Sequence, residues 1–194
     1  MVKPLKNIRK QVMEDDTAED IMDMNDMGEI QVTTQPTTIM SSADDPSKEA
    51  LVTAIKVALA DTFSFYLKTH YFHWNIEGSN FPQYHNLLDG IYNEVFNAVD
   101  PMSELIRKLG AYSPGSFTRF QELTNIPEAS KAIPPAMDML TELYNDNKIV
   151  LQSIETAYEL AEMNHEHGIS TFFADRQSAH QKHGWFLRAT LTNR

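Results

Sequence analysis

Apolar residues recur at three- to four-residue intervals over most of the chain, the period of helices with one buried face. Leu51, Ile55, Leu59, Phe63, Tyr66 and His70 mark the first stripe, in a helix that starts at Asp45-Pro46 and runs through His73. A second helix is predicted from Asn80 to Leu109. Asn80 with Gln83 three residues on forms a capping box, and Gly110 supplies a stop. Pro114 to Pro135 reads as a connection holding only a short helix. A third long helix begins near Pro135, with Leu140, Tyr144, Leu151, Ile154, Tyr158 and Ala161 as its stripe. A fourth follows Gly168, turning Ile169, Phe172, Phe173, Ala179, Phe186, Leu187 and Leu191 inward. Two helical hairpins joined by a long crossover predict an all-α four-helix bundle.

Pro101 interrupts this pattern. It lacks the N–H that would bond the Asn97 carbonyl, so a bend or local bulge is expected beside Asp100.

The first 46 residues stand apart from the rest. Residues 1–12 hold Lys3, Lys6, Arg9 and Lys10 without an acid, whereas residues 13–46 hold ten acids and no base. Low hydrophobicity and high charge predict a disordered or extended arm over 1–46, followed by one domain over 47–194. The arm carries −6 of the formal −11 charge, leaving −5 on the remainder. At 194 residues and 42% hydrophobic, the chain can build one substantial core. Zero cysteines exclude a disulfide scaffold and fit a reducing compartment. With no run of about 18 apolar residues and no apolar leader after the N-terminal bases, the expectation is a cytoplasmic protein without a membrane span.

The candidate chemistry lies at His73, His85, Asp89, Asp100 and Glu104. On a helix, His85 and Asp89 occupy adjacent turns of one face, and so do Asp100 and Glu104. His85 and Asp100 fall within roughly 60° of each other around the axis, yet roughly 22 Å apart along it. One ion cannot be held by both from the same helix. If the five residues form one site, a second chain supplies half of it, with the two helices antiparallel across a two-fold axis. Two imidazoles and three carboxylates, with no thiol in the chain, suit iron cycling between oxidation states better than structural zinc. Taken singly, each residue also reads as an interface histidine or as part of a solvated acidic face.

His73-Trp74-Asn75-Ile76-Glu77-Gly78, followed by Phe81, His85, Asp89, Tyr92, Asp100 and Glu104, resembles the signature of the Dps family, the ferritin-like mini-cages of starved bacteria. Further matches are Arg107-Lys108-Leu109-Gly110 at the exit of the second helix, a short crossover helix over 116–126, and Lys182 with Trp185-Phe186-Leu187 near the C-terminus. The likeness covers roughly residues 47–191. It implies a ferritin-like bundle forming dimers that build a dodecameric cage, with a ferroxidase centre at each dimer interface. It also implies oxidation of Fe(II) by hydrogen peroxide, or more slowly by dioxygen, and storage of the ferric mineral. His73, His85, Asp100 and Glu104 would ligate the tighter iron, with Glu104 able to bridge, and Asp89 would bind or orient the weaker one. Two departures stand out. Ser103-Glu104-Leu105 replaces the family's usual Ala-Glu-Arg, and Pro101 puts the aim of Asp100 in question.

Other motifs carry less. Glu162-x-x-His165 is a single copy of a motif that an intrabundle di-iron centre needs twice, and reads as exposed loop. His180 and His183, one turn apart, read as helix surface. Trp74 and Trp185 are expected in the core or at a dimer interface, and the resemblance opens to Trp74 a role in absorbing oxidising equivalents. The alternative function is a nucleoid protein that binds and protects DNA through the four basic residues of the arm, against which the acidic block and acidic body both act. A partner-docking or cage-shielding arm is a third reading.

Overall fold

A computed structural model describes residues 46–192, which form six helices and no strand. The expectations for the arm, including its basic and acidic blocks, lie outside the described residues. Helix α1 spans Pro46–Asn75, α2 Phe81–Phe96, α3 Val99–Lys108, α4 Phe117–Leu123, α5 Ala136–Met163 and α6 His167–Leu191. With α2 and α3 taken as one interrupted arm, this is the expected ferritin-like four-helix bundle with a short helix in the crossover.

Helix α1 is the hub, packing against α2, α3, α4 and α5, while α5 pairs with α6. It therefore buries more than the single stripe its spacing suggests. Leu51, Ile55 and Leu59 are fully buried, but so are Ala58, Phe65 and Phe72, whereas Phe63, Tyr66 and His70 are half-buried. An 18-residue stretch of α1 averages a hydropathy of 1.5, enough by length and composition to cross a membrane. More than half of that stretch is buried inside the bundle, which accounts for its apolar character.

The expected continuous helix from Asn80 to Leu109 is divided at Asn97 and Ala98. Ala98 N–H bonds back three residues to the Val95 carbonyl, and the four-residue register resumes with Met102 N–H to the Ala98 carbonyl. Pro101 sits in the first turn of α3, where its missing N–H would have had no partner within that helix anyway. The break thus places the proline where it costs least. It also puts Asp100 at the favourable positive end of a new helix.

The capping box at Asn80 does not form. Pro82 removes one of the N–H groups an N-cap serves, and the Asn80 amide donates instead to the Tyr84 hydroxyl at 3.2 Å. Gly110 does end α3, at φ +86°, with Ala111 N–H closing onto the Ile106 carbonyl. Ser116 caps α4 by accepting from Arg119 N–H. Beyond α4, the buried Asp61 of α1 accepts from Thr124 Oγ1 and from both nitrogens of Asn125, fastening the crossover to the bundle.

His180 and His183, read from the sequence as surface, are 0% and 6% exposed. His180 Nδ1 lies 2.8 Å from Asn147 Oδ1, whose amide nitrogen donates to the His180 carbonyl. His183 Nε2 lies 2.8 Å from Glu94 Oε2, and the Arg176 guanidinium donates to both oxygens of the same carboxylate. A second buried pair, Lys68 with Asp146 at 2.7 Å, joins α1 to α5. The inward expectation also fails for Phe186, whose ring is exposed beside Trp185.

Burial alone would raise the Glu94 pKa, but the hydrogen bonds and charges of Arg176 and His183 outweigh it and hold the carboxyl well below its usual range. Burial, with Arg176 and His183 nearby, holds His180 well below the usual histidine range, Glu94 opposing. Both groups have folded pKa values below their unfolded ones, so each contributes stability that is present at neutral pH and lost on acidification. For His180 the loss begins below about pH 6.5, and for Glu94 below about pH 4.3. The thermal midpoint should therefore fall as pH drops below about 6.5, through His180, and again along an acid limb below about pH 4.3, through Glu94. Glu94→Gln should lower it at pH 7 and flatten its acid limb, as read by calorimetry; an unchanged acid limb would exclude Glu94 from this role.

Candidate metal centre

The turn between α1 and α2 sets the first half of the candidate site. Gly78, at φ +118°, makes a backbone conformation that side chains rarely adopt, and Phe81 N–H closes onto its carbonyl. Ile76 is buried beneath the turn. This brings His73, near the end of α1, against His85, in the second turn of α2. Their rings stack with centroids 3.7 Å apart. His73 Nδ1 lies 3.0 Å from the His85 carbonyl, and His85 Nδ1 lies 3.0 Å from the His73 carbonyl.

A carbonyl oxygen can only accept, so each Nδ1 carries the hydrogen, which in the neutral imidazole leaves the lone pair on Nε2. That is the arrangement a metal-binding imidazole needs, with the far nitrogen held by a backbone acceptor. His73 is buried and His85 half-buried, so the pair lies at the surface end of the hairpin.

Asp89, one turn after His85, is exposed and accepts from the Tyr92 hydroxyl at 2.8 Å. That bond is the first cause of a raised Tyr92 pKa. The Tyr92 ring stacks on His70 and meets His73 edge-on. Burial and the neighbouring His73 lower the pKa of His70, with Asp89 opposing.

Asp100 and Glu104 stand one turn apart on α3, both exposed, with Glu104 3.9 Å from Lys108 Nζ. Among the described residues, no three His, Cys, Asp or Glu side chains of one chain gather where they could hold a metal. The structure thus brings His73 and His85 together, with Asp89 one turn further along α2, and leaves Asp100 and Glu104 as a separate pair on α3. Glu162 and His165 are both exposed, as expected, though Glu162 still belongs to α5 and only His165 lies in the turn after it.

Two neighbours of the site entered the sequence reading in other roles, His70 as part of the apolar stripe and Tyr92 as part of the family signature. His70 lies three residues before His73, and Tyr92 three after Asp89, the interval that places side chains on one helix face. The Glu94, Arg176 and His183 cluster gave no local signal, because its members come from helices distant in sequence.

A helix bundle of this topology, with paired histidines at a hairpin end and carboxylates on the following helices, is of the ferritin-like class. Residues 52–194 match the model of the ferritin family, described as a ferritin-like domain. The chain is 27% identical over 137 residues to the DNA protection during starvation protein of Helicobacter pylori, a match covering 71% of this chain and 95% of that one. Its fold superposes on antigen TpF1 from Treponema pallidum with a TM-score of 0.73 at 27% identity, covering 77% and 96% of the two chains. A Dps protein from Vibrio cholerae O1, titled a member of a broad superfamily of ferritin-like diiron-carboxylate proteins, gives 0.71 at 27% identity over 75% and 91%. The chain belongs to the ferritin-like family and, within it, to the Dps group.

The histidine geometry is open to direct test. In a proton–nitrogen correlation spectrum at pH 8, both imidazoles should show the Nδ1–H tautomer with Nε2 unprotonated. An Nε2–H tautomer at either residue would contradict the reciprocal pairing.

Proposed function

We propose that this protein is a cytoplasmic ferroxidase and iron-storage protein whose active site is completed by a second copy of the chain. The observation that carries the reading is the His73–His85 pair, locked by its Nδ1 hydrogens so that both Nε2 lone pairs remain for iron. His73 and His85 of one chain, with Asp100 and Glu104 of its mate, ligate the tighter iron, and Asp89 serves the weaker. The absence of a complete ligand cluster among the described residues of one chain supports sharing.

An unpaired apolar face supports it too. Leu67, Trp74 and Phe117 are 43%, 61% and 79% exposed, beside a groove of about 590 Å³ between α1 and the region of α4. A chain that leaves such a face in water has a use for a partner. This takes Trp74 out of the core of the single chain and leaves the interface as its place. Dimers then build a dodecameric cage.

Iron here is substrate. Two Fe(II) each give up one electron to a single hydrogen peroxide, whose O–O bond breaks. With two further waters the products are two FeOOH and four protons, so charge and atoms balance. The protein binds and orients the two irons through imidazole and carboxylate, and the carboxylates favour the ferric state. Dioxygen is the slower oxidant.

A mixing experiment separates a shared site from one held within a chain. His73→Ala with His85→Ala, and separately Asp100→Ala with Glu104→Ala, should each slow Fe(II) oxidation by more than about 100-fold while native mass spectrometry still shows the assembled cage. Co-assembled from denatured chains, the two variants should recover activity, because each mixed dimer holds one intact site and one doubly depleted site. No recovery in cages proven to be mixed would refute sharing, and wild-type rates in the histidine variant would place the chemistry elsewhere.

A second reading, DNA binding, is favoured by Lys3, Lys6, Arg9 and Lys10 and by the name of the Helicobacter pylori relative. The acidic residues that follow outnumber them, so intact protein should give little mobility shift with duplex DNA at about 150 mM salt. Deleting residues 13–29, which removes eight acids, should strengthen binding. A shift by intact protein that persists at higher salt would show that local positive charge prevails over net charge.

A further inference from the structure

Asp89 is held by a hydrogen bond from a side chain of its own helix, a closer contact than the 3.9 Å ion pair of Glu104 with Lys108. The Tyr92 phenol donates to Asp89 Oδ1 at 2.8 Å, and the direction is fixed because an ionised carboxylate only accepts. Tyr92 is itself held. Its ring lies face to face with His70, centroids 4.0 Å apart and planes 12° from parallel, and edge-on to His73 at 5.0 Å. His70 is fixed in turn by the Tyr66 hydroxyl, 3.3 Å from its Nδ1, and by the Trp74 ring at 4.1 Å. The Tyr92 ring cannot swing away without leaving two side chains of α1. An exposed carboxylate on α2 is thus tied to the face of α1 that carries His73.

We propose that Tyr92 is the positioning residue of the weaker iron, holding the Asp89 carboxylate in one orientation through Oδ1 and leaving Oδ2 for the ion. This rests on the assignment of Asp89 to that iron. Without the phenol, Asp89 would rotate freely in water and would have to be ordered by the ion itself, which weakens binding. The hydrogen bond also withdraws charge from the carboxylate, an effect of opposite sign. On an exposed carboxylate the phenol merely replaces a water donor, so basicity changes little while rotation is lost, and orientation prevails. His70 supports the same arrangement one step further out, by fixing the plane of the Tyr92 ring.

Cobalt(II) titration of the assembled full-length protein under anaerobic conditions tests this without any turnover, read by calorimetry and by visible absorption. Wild-type protein should bind two ions per site in two phases. Tyr92→Phe keeps the ring and its stacking, so helix content should be unchanged, while the weaker phase should lose about 10- to 100-fold in affinity. The tighter phase should stay within about twofold of wild type. In an Asp89→Ala background, where the weaker phase is already impaired, adding Tyr92→Phe should change it no further, because the tyrosine acts through that carboxylate. Wild-type affinities for both ions in Tyr92→Phe would overturn the proposal. So would an equal loss in both phases, which would mean that Tyr92 merely supports His73, and so would an additional loss in the Asp89→Ala background. Wild-type protein that takes up no cobalt at all would instead refute the metal-site assignment beneath it.

Discussion

The crossed pair of imidazole–carbonyl hydrogen bonds between His73 and His85 is the interaction on which the candidate site depends. The His73 carbonyl belongs to the last turn of α1, where the helix ladder runs out of donors. His85 supplies one, and His73 returns the favour to a carbonyl of α2. Each bond contributes about 1 kcal/mol net, a modest amount. Its larger consequence is geometric. The bonds that fasten the hairpin also fix both tautomers, so local structure and ligand chemistry are one arrangement. A histidine in either position that lost its backbone acceptor would be free to present the wrong nitrogen.

The interior of the bundle explains why that hairpin end is where the metal chemistry is proposed. Ferritin-like bundles can place carboxylates and histidines of facing helices around ions in their core. Here Glu94 and Asp146 already have cations, supplied by Arg176 and Lys68 of the same chain, and the fully buried Asp61 is met by donors of Thr124 and Asn125. Buried charge demands a partner, and a partner built into the sequence leaves no unmet demand for a metal. His183 is taken up by Glu94 as well. His180 has its Nδ1 engaged with Asn147 and, among the described residues, no cluster of metal-ligating side chains around it.

Helix periodicity made the two hairpins and the crossover legible, because apolar spacing depends only on local geometry and on which face is buried. Gly110 was legible as a helix stop because a positive φ is a local demand that glycine meets, and the short crossover helix came from the family resemblance. Pro101 announced an interruption, though its spacing alone did not say whether α2 would bend or end; that was decided by the lower cost of a proline in a first turn. The reading failed where the deciding partner was remote. His180 and His183 look alike on an exposed or a buried face until Glu94 and Asn147 are brought to them by the fold. Asn80 failed differently, because a local rule was overridden by Pro82 and by the Tyr84 hydroxyl. At the candidate site, the spacing of His85, Asp89, Asp100 and Glu104 put all four on one helix, which the break at Asn97 and Ala98 divides between α2 and α3. It did not reveal the ring stacking at His70, which depends on the register of α1 against α2.

Ligands shared as proposed would also tie assembly to chemistry. An ion bound by residues of two chains stabilises the pair over the separated chains in proportion to its occupancy, and association raises the affinity for the ion by the same free energy. Neither half alone should hold iron well. The histidine pair lacks negative charge to neutralise a cation, and Asp100 with Glu104 lacks the imidazoles that select a redox-active metal. Exposed Leu67, Trp74 and Phe117 give the chains a reason to associate that does not depend on iron, so the centre would be assembled before its substrate arrives. On this reading, the apolar face brings the two halves of the centre together, and the crossed histidine hydrogen bonds ensure that the imidazole half is already in the correct tautomer when they meet.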